Sequence, residues 1–273
     1  MSAPVDAARA LVSTRLPSWR PGSSRDAVLT FLDDLDHVPI DERVAYIDND
    51  GTMWCEKPTY VQFDFFVDAL QRRVDADPSM ADRPEFAAVL AGDMAAIGEI
   101  GLANVAAALA ALFDGETPDD FAAAVADFLD RHRHPTLHRE LDGIIYQPML
   151  ELLDALRDRG FTIGIVTGGG TEFVRQISKR CYDVEPGMVV GTLICYTFDR
   201  DDVASPVVRR TIAQIGSANE GGAKMEHRLR LAVTTTCFAT LADRAPSPCH
   251  RRARGSPGPA DPGGNRIRWA RAG

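Results

Sequence analysis

Apolar positions recur at helical spacing through Ala27, Val28, Leu29, Phe31, Leu32 and Leu35, with Ser23 and Ser24 ahead of them as capping residues. The pattern predicts a capped amphipathic helix. Val44-Ala45-Tyr46-Ile47 is a short unbroken apolar run, suited to a buried strand, and it stops abruptly at Asp48-Asn49-Asp50-Gly51-Thr52. From 59 to 145 strand-like alternation disappears. Helices are predicted over 60–74, 85–100 and 103–113, and Thr117-Pro118 opens a fourth as N-cap and first helical residue. Gln147-Pro148 opens a helix over 149–159, which Gly160 stops. A second buried strand over 161–166 ends at Thr167-Gly168-Gly169-Gly170, and a helix over 171–179 follows. Residues 188–191 and 193–196 read as two strands of a hairpin or sheet edge. The order of strand, helical block, helix, strand and helix predicts an α/β core with a Rossmann-like parallel sheet and an inserted α-helical domain.

Composition adds limits rather than detail. The chain of 273 residues is 45% hydrophobic and 25% charged, an ordinary soluble globular balance. Its net charge of −9 removes the global cationic field that would grip a nucleic acid, so no nucleic-acid partner is expected. Cys55, Cys181, Cys195, Cys237 and Cys249 are odd in number and widely spread, which points to reduced thiols and a cytoplasmic location. Asp6 and Arg9 interrupt the apolar residues of 1–19, a poor signal peptide, and the nearly uncharged run over 101–113 is too short to span a bilayer. No membrane partner is expected, and oligomeric state is left open.

Charge is unevenly placed. Residues 225–273 hold nine arginines against three acids, +6, so residues 1–224 carry 21 basic against 36 acidic side chains, −15. The same tail has five prolines and five glycines and keeps no apolar period from 245 onward, so it is expected to be irregular and disordered.

Three features carry candidate chemistry. Asp48 and Asp50 follow a buried strand at the edge where open α/β sheets bind ligands. In extended backbone both face the same way, and their repulsion calls for a cation or a shared proton; Mg²⁺ suits such a site. Thr167 and Gly168 follow the second strand, a hydroxyl and flexible backbone opening a helix, a natural phosphate contact but also an ordinary glycine-rich turn. Lys224, after Asn219-Glu220-Gly221-Gly222-Ala223, could supply fixed positive charge.

In this order the three features resemble the haloacid-dehalogenase-like phosphohydrolase superfamily, in its phosphoserine-phosphatase-like branch with a helical type 1 cap. Asp48-Asn49-Asp50-Gly51-Thr52 matches the first motif, D-x-D-x-T, Thr167 the hydroxyl of the second, and Lys224 the lysine of the third. The resemblance implies a discontinuous core over 1–56 and 145–224, a helical cap over 57–144 and an atypical basic tail over 225–273. It implies hydrolysis of a small phosphorylated metabolite with Asp48 as nucleophile and Asp50 as general acid and base. Thr167, Gly168 and Lys224 would hold the phosphoryl group, and Mg²⁺ would sit on the Asp48 carboxylate and the Asp50 main-chain carbonyl. Gly51 stands where phosphoserine phosphatases usually have Ser, so a serine phosphate is not implied.

The fourth motif of the family, an apolar strand ending in one or two acids, has no clear counterpart. After 229–242 only Asp243 is available, beside Arg244, and the composition switch beginning near 225 reads like a shifted reading frame. Two alternatives therefore stand beside the phosphatase: a catalytically impaired or inactive remnant, and a dehalogenase-type hydrolase, against which Asp50 argues. His132, His134 and His138 are read as a polar linker between insert and core rather than a metal cluster. Tyr60, Phe63, Phe65 and Phe66 are read mostly as packing within the insert, and Glu56 and Lys57 either as an exposed linker or as substrate contacts.

Overall fold

The computed structural model describes residues 15–199, 207–215 and 218–225. The sequence readings that fall on the tail, including Asp243, lie outside the described residues. Four strands form one sheet in the order β1 (Val44–Ile47), β2 (Thr162–Gly170), β3 (Val189–Asp199) and β4 (Val207–Ile215). The first three are parallel and β4 is antiparallel to β3. Parallel neighbours need long crossovers. Between β1 and β2 the crossover is the whole helical insert plus α7 (Gln147–Arg157), and between β2 and β3 it is α8 (Thr171–Tyr182). The α/β architecture with an inserted helical block is thus the one the periodicity predicts.

Individual elements differ from the sequence reading. Helix α1 (Ser23–Asp33) begins at Ser23 itself; Gly22 is its N-cap, and no side chain caps it. The helix expected over 85–100 is two, α3 (Pro84–Ala91) and α4 (Met94–Ile100). Gly92 ends the first in the left-handed region, and Asp93 starts the second by accepting from the N–H groups of Ala95 and Ala96. The two strands expected over 188–196 are one strand, β3. Its start is held in register by β2 and its end by β4, a strand for which the sequence reading assigned no element.

The insert also contains α2 (Val61–Ala76), α5 (Leu102–Ala110) and α6 (Pro118–Arg131). Thr117 and Asp120 form a full capping box ahead of α6. Phe65 of α2 lies within 5.2 to 5.6 Å of the rings of Phe66, Phe113, Phe121, Phe128 and Phe173. Phe173 belongs to α8, so this aromatic cluster ties the insert to the helix that leaves the sheet. Where the chain enters and leaves the insert, the two segments pair: Cys55 N–H donates to the Ile144 carbonyl at 3.0 Å and Tyr146 N–H to Met53 at 2.8 Å. Among the described residues no single helix is long and apolar enough to cross a membrane. Helices α4 and α5 with the turn after it, bent by 92°, reach that length only together, and bury Ile97, Val105 and Leu109 in the core.

Candidate active site

The site is built where two neighbouring strands end. Register runs from Val44 opposite Thr162 to Ile47 opposite Ile165, so Asp48 and Thr167 leave the same edge of the sheet. Backbone alternation then sorts the first loop. Asn49 is fully buried and its Oδ1 accepts from the Tyr182 hydroxyl at 2.9 Å. Asp48 and Asp50, on either side of it, remain partly accessible. Gly51 turns the chain with φ at +72°, a conformation glycine adopts freely, and a Cβ there would meet the Glu56 carboxyl group at 2.9 Å.

Each acid has its own partners. Lys224 Nζ donates to Asp48 Oδ1 at 2.6 Å, and the Thr52 hydroxyl donates to Asp48 Oδ2 at 3.4 Å. Asp50 Oδ1 accepts from Trp54 Nε1 at 2.8 Å, and Asp50 Oδ2 faces the Thr167 hydroxyl at 3.5 Å. Thr167 Oγ1 also accepts from Gly169 N–H at 3.0 Å. Burial pushes the Asp50 carboxyl above the usual aspartate value. The charges of Asp48 and Glu56 push the same way, and the Trp54 hydrogen bond pulls against them. Such a group keeps its proton to higher pH than a solvated aspartate does.

The five residues singled out in the sequence thus come together, though unequally. Lys224 contacts Asp48 and Thr167 faces Asp50, so the four form two pairs joined through the Asp48–Asp50 loop. Gly168 lies beside Thr167 in the last part of β2, its carbonyl accepting from the Thr192 hydroxyl at 2.8 Å, and a Cβ on it would meet the Glu220 side chain at 3.2 Å. Sequence reasoning missed what holds Lys224 in place. Asn219 is fully buried; its Nδ2 donates to the carbonyls of Thr167 at 2.7 Å and Val190 at 3.1 Å, and its N–H donates to Thr192 Oγ1 at 3.0 Å. The turn that leads into the helical turn of Lys224 is therefore pinned to β2 and to the start of β3. Trp54 was missed as well, although its spacing of four from Asp50 was visible. A third omission is Gln62, at the start of α2, whose Oε1 accepts from Gly170 N–H at 2.9 Å.

Other readings change. His134 is 2% exposed, where a polar linker predicts exposure; its Nδ1 accepts from the N–H groups of Thr136 and Leu137 and closes a local turn. Phe65 is core, whereas Tyr60 is half exposed. Burial, with help from the Glu56 charge, raises the Tyr60 phenol above its ordinary value.

The oxygen donors at the site are the Asp48 and Asp50 carboxylates and the Thr52 and Thr167 hydroxyls, with the Lys224 ammonium on Asp48 Oδ1. Among the described residues no group of three or more His, Cys, Asp or Glu side chains could hold a metal ion. Two carboxylates with hydroxyl oxygens beside them are the donor types a hard cation such as Mg²⁺ takes, its shell completed by water and substrate phosphate.

No curated protein matches the chain. Similar solved structures include a phosphoserine phosphohydrolase-like protein from Francisella tularensis subsp. tularensis SCHU S4, 12% identical over 72% of this chain and 76% of that one, TM-score 0.40. A protein with unknown function from Bordetella pertussis Tohama I is 18% identical over 69% and 73%, TM-score 0.42. An HAD family hydrolase from Salmonella enterica subsp. enterica serovar Typhi is 15% identical over 69% of this chain and 50% of its own, TM-score 0.37. The family model for haloacid dehalogenase-like hydrolases matches residues 45–217, from the first strand past the last described one, and this chain belongs to that family.

Proposed function

We propose that the chain hydrolyses a small phosphomonoester through a covalent phosphoryl intermediate on Asp48, with Mg²⁺ as its metal. The observation that carries this reading is the contact of Lys224 Nζ with Asp48 Oδ1 at 2.6 Å, next to a second carboxyl group, Asp50, that faces the Thr167 hydroxyl. A fixed cation beside the nucleophile and a buried, proton-retaining acid beside the leaving group are the two groups that phosphoryl transfer demands.

In the first step a carboxylate oxygen of Asp48 attacks phosphorus and the ester P–O bond breaks. Asp50 gives its proton to the departing alkoxide, which leaves as the alcohol. In the second step Asp50, now a carboxylate, takes a proton from water. The oxygen of that water attacks phosphorus, the Asp48–phosphorus bond breaks, and inorganic phosphate leaves. Lys224, Thr167 and Gly168 hold the phosphoryl oxygens through both steps, and Trp54 keeps Asp50 aimed. The Asp48 carboxylate and the Asp50 main-chain carbonyl would hold the metal, which adds positive charge against the phosphoryl oxygens when bound.

Turnover of p-nitrophenyl phosphate, with and without Mg²⁺, in the wild type and in Asp48→Asn, tests the reading. The expected result is Mg²⁺-dependent turnover that Asp48→Asn abolishes. Turnover that survives Asp48→Asn overturns the mechanism, and a wild type without turnover favours a catalytically impaired member of the family.

A further inference from the structure

Asn49 stands between the two candidate catalytic acids, and its side chain is fully buried while theirs stay partly accessible. Its main-chain carbonyl accepts from the N–H groups of Thr52 at 3.2 Å and Met53 at 2.7 Å, so the turn after Asp50 closes on this residue. Whatever fixes Asn49 fixes the direction in which Asp48 enters that turn and Asp50 leaves it.

Tyr182, the last residue of α8, supplies the fixing contact. Its hydroxyl donates to Asn49 Oδ1 at 2.9 Å, from 133 positions away in the chain. Its ring meets the Trp54 indole edge-on, with centroids 6.4 Å apart, and Trp54 Nε1 is the donor held by Asp50 Oδ1 at 2.8 Å. One side chain thus backs both the residue between the two acids and the indole that aims the second of them. Tyr182 is anchored in turn, since the Arg157 guanidinium at the end of α7 donates to its main-chain carbonyl. It is also fully buried, so it acts on the reaction through these neighbours rather than by touching substrate.

The hydroxyl is the informative atom. A phenylalanine would fill the same space and keep the ring contact with Trp54. A buried hydroxyl carries a desolvation cost that packing does not require, offset by the bond it makes. That bond goes to the residue lying between the proposed nucleophile and the proposed general acid.

We propose that Tyr182 is a positioning residue whose hydroxyl, through Asn49, holds the Asp48–Asp50 turn in the geometry from which Asp48 attacks phosphorus. The inference rests on the phosphomonoesterase reading and deepens it. A small displacement of a nucleophile is felt mainly in the transition state, where the reacting atoms must align. Lys224, Thr167 and Gly168 still receive the phosphoryl oxygens, so ground-state binding is spared. The signature is a fall in kcat at constant KM.

The test measures kcat and KM for p-nitrophenyl phosphate with Mg²⁺, and the thermal midpoint, in the wild type, Tyr182→Phe, Asn49→Leu and the double variant. Tyr182→Phe is expected to lower kcat about tenfold with KM within a factor of two of wild type, and to lower the midpoint by leaving Asn49 Oδ1 unpaired. The double variant replaces both polar partners by apolar ones and regains stability, while its kcat stays low. A hydroxyl that only stabilises the fold would return kcat together with the midpoint. If the Asn49→Leu proteins fail to fold, Tyr182→Phe decides alone, assayed below its own melting temperature. A Tyr182→Phe kcat within a factor of two of wild type, a rise in KM as large as the fall in kcat, or a double variant whose kcat recovers with its stability overturns the inference and leaves the phosphatase reading standing. A wild type without turnover overturns that reading, and this inference with it.

Discussion

Lys224 and Asp48 are 176 residues apart in the chain, and their charged atoms meet at 2.6 Å. The contact joins the loop that ends β1 to the helical turn over 222–225, which follows Asn219, itself bonded to Thr167 of β2 and Val190 at the start of β3. Because Lys224 is aimed at the proposed nucleophile, its charge acts on the phosphoryl group rather than on solvent. Lys224→Met is expected to lower kcat by about 10²- to 10³-fold, the scale seen when one preorganised electrostatic donor is removed. Lys224→Arg is not expected to rescue it fully, because a planar guanidinium does not replace a compact ammonium at that position. Steady-state kinetics with p-nitrophenyl phosphate checks both, and a kcat within a factor of two of wild type in Lys224→Met would remove the lysine from the mechanism.

Asp50 sets the alkaline side of the pH profile if it is the general acid. Its carboxyl is raised first by burial and then by the charges of Asp48 and Glu56, while the Trp54 hydrogen bond lowers it. Glu56→Gln removes one of the raising charges, so the falling limb of kcat/KM should move to lower pH. Trp54→Phe removes the lowering bond, so the same limb should move to higher pH. Opposite shifts in the two variants are the signature, read from pH–rate profiles. Movement in the same direction would place the limb on another group.

The same shift has a consequence for stability. A carboxyl whose folded value lies above its unfolded value of 3.8 contributes its full stability below 3.8. That contribution fades as pH rises through the folded value, because ionisation then favours the unfolded chain. Asp50→Asn, which cannot ionise, should therefore melt higher than wild type at neutral pH while losing turnover. The gain should vanish in acid, where the wild-type carboxyl is protonated as well. Thermal melts at pH 7 and pH 4 measure it. An Asp50→Asn protein less stable than wild type at pH 7 would show that the carboxyl is held by its hydrogen bonds more than it is penalised by burial.

What was legible in the sequence had a period or a motif behind it. The apolar run before Asp48 announced the end of β1; the second strand, read as ending at 166, continues through the glycines to Gly170 with an irregular register, and the parallel pairing of the two strands supplies the proximity that spacing alone could not. The insert was legible as helices because Phe65, Phe121, Val125 and Phe128 keep one face apolar, and Thr117-Pro118 marks the start of α6 without ambiguity. What stayed hidden is long-range and polar. Nothing local distinguishes Asn219 from any turn asparagine until the carbonyls of Thr167 and Val190 are placed beside it. Gln62 reads as an ordinary helix residue until Gly170 N–H is in reach, and Trp54 as core until its indole nitrogen meets Asp50. The strand Val207–Ile215 was missed because its sequence mixes arginines with apolar residues and takes its identity from β3.

Phe65 should be the most sensitive core position of the insert. It is 2% exposed and in ring contact with Phe113, Phe121, Phe128 and Phe173, so truncation leaves a cavity walled by aromatic groups from three other segments. Phe65→Ala should cost about 3–5 kcal/mol. Phe65→Leu should cost less, since it refills most of the volume. Urea unfolding followed by tryptophan fluorescence gives both values. A loss below about 1 kcal/mol for Phe65→Ala would mean that the cluster repacks freely and does not tie the insert to α8.

Arg210 joins three parts of the molecule with one side chain. Its guanidinium pairs with Glu172 on the first turn of α8 and lies 3.8 Å from the ring centre of Phe121 in α6. Its main chain exchanges hydrogen bonds with Glu116 and Gly115 ahead of that helix. The Arg210 side chain is 5% exposed and that of Glu172 19%, so both charged groups are largely shielded from water, and burial raises the Glu172 carboxyl to about 7. Arg210→Met should therefore cost about 1–3 kcal/mol, from the lost pair and from the Glu172 carboxyl that must protonate or find water. The double variant Arg210→Met with Glu172→Gln should regain most of that loss, because it removes the uncompensated charge while keeping the volume. Denaturant midpoints of the two single variants and the double close the cycle. If Arg210→Met alone costs less than about 1 kcal/mol, the pair behaves as a solvated surface contact, and β4 is held to the insert by its main chain rather than by this ion pair.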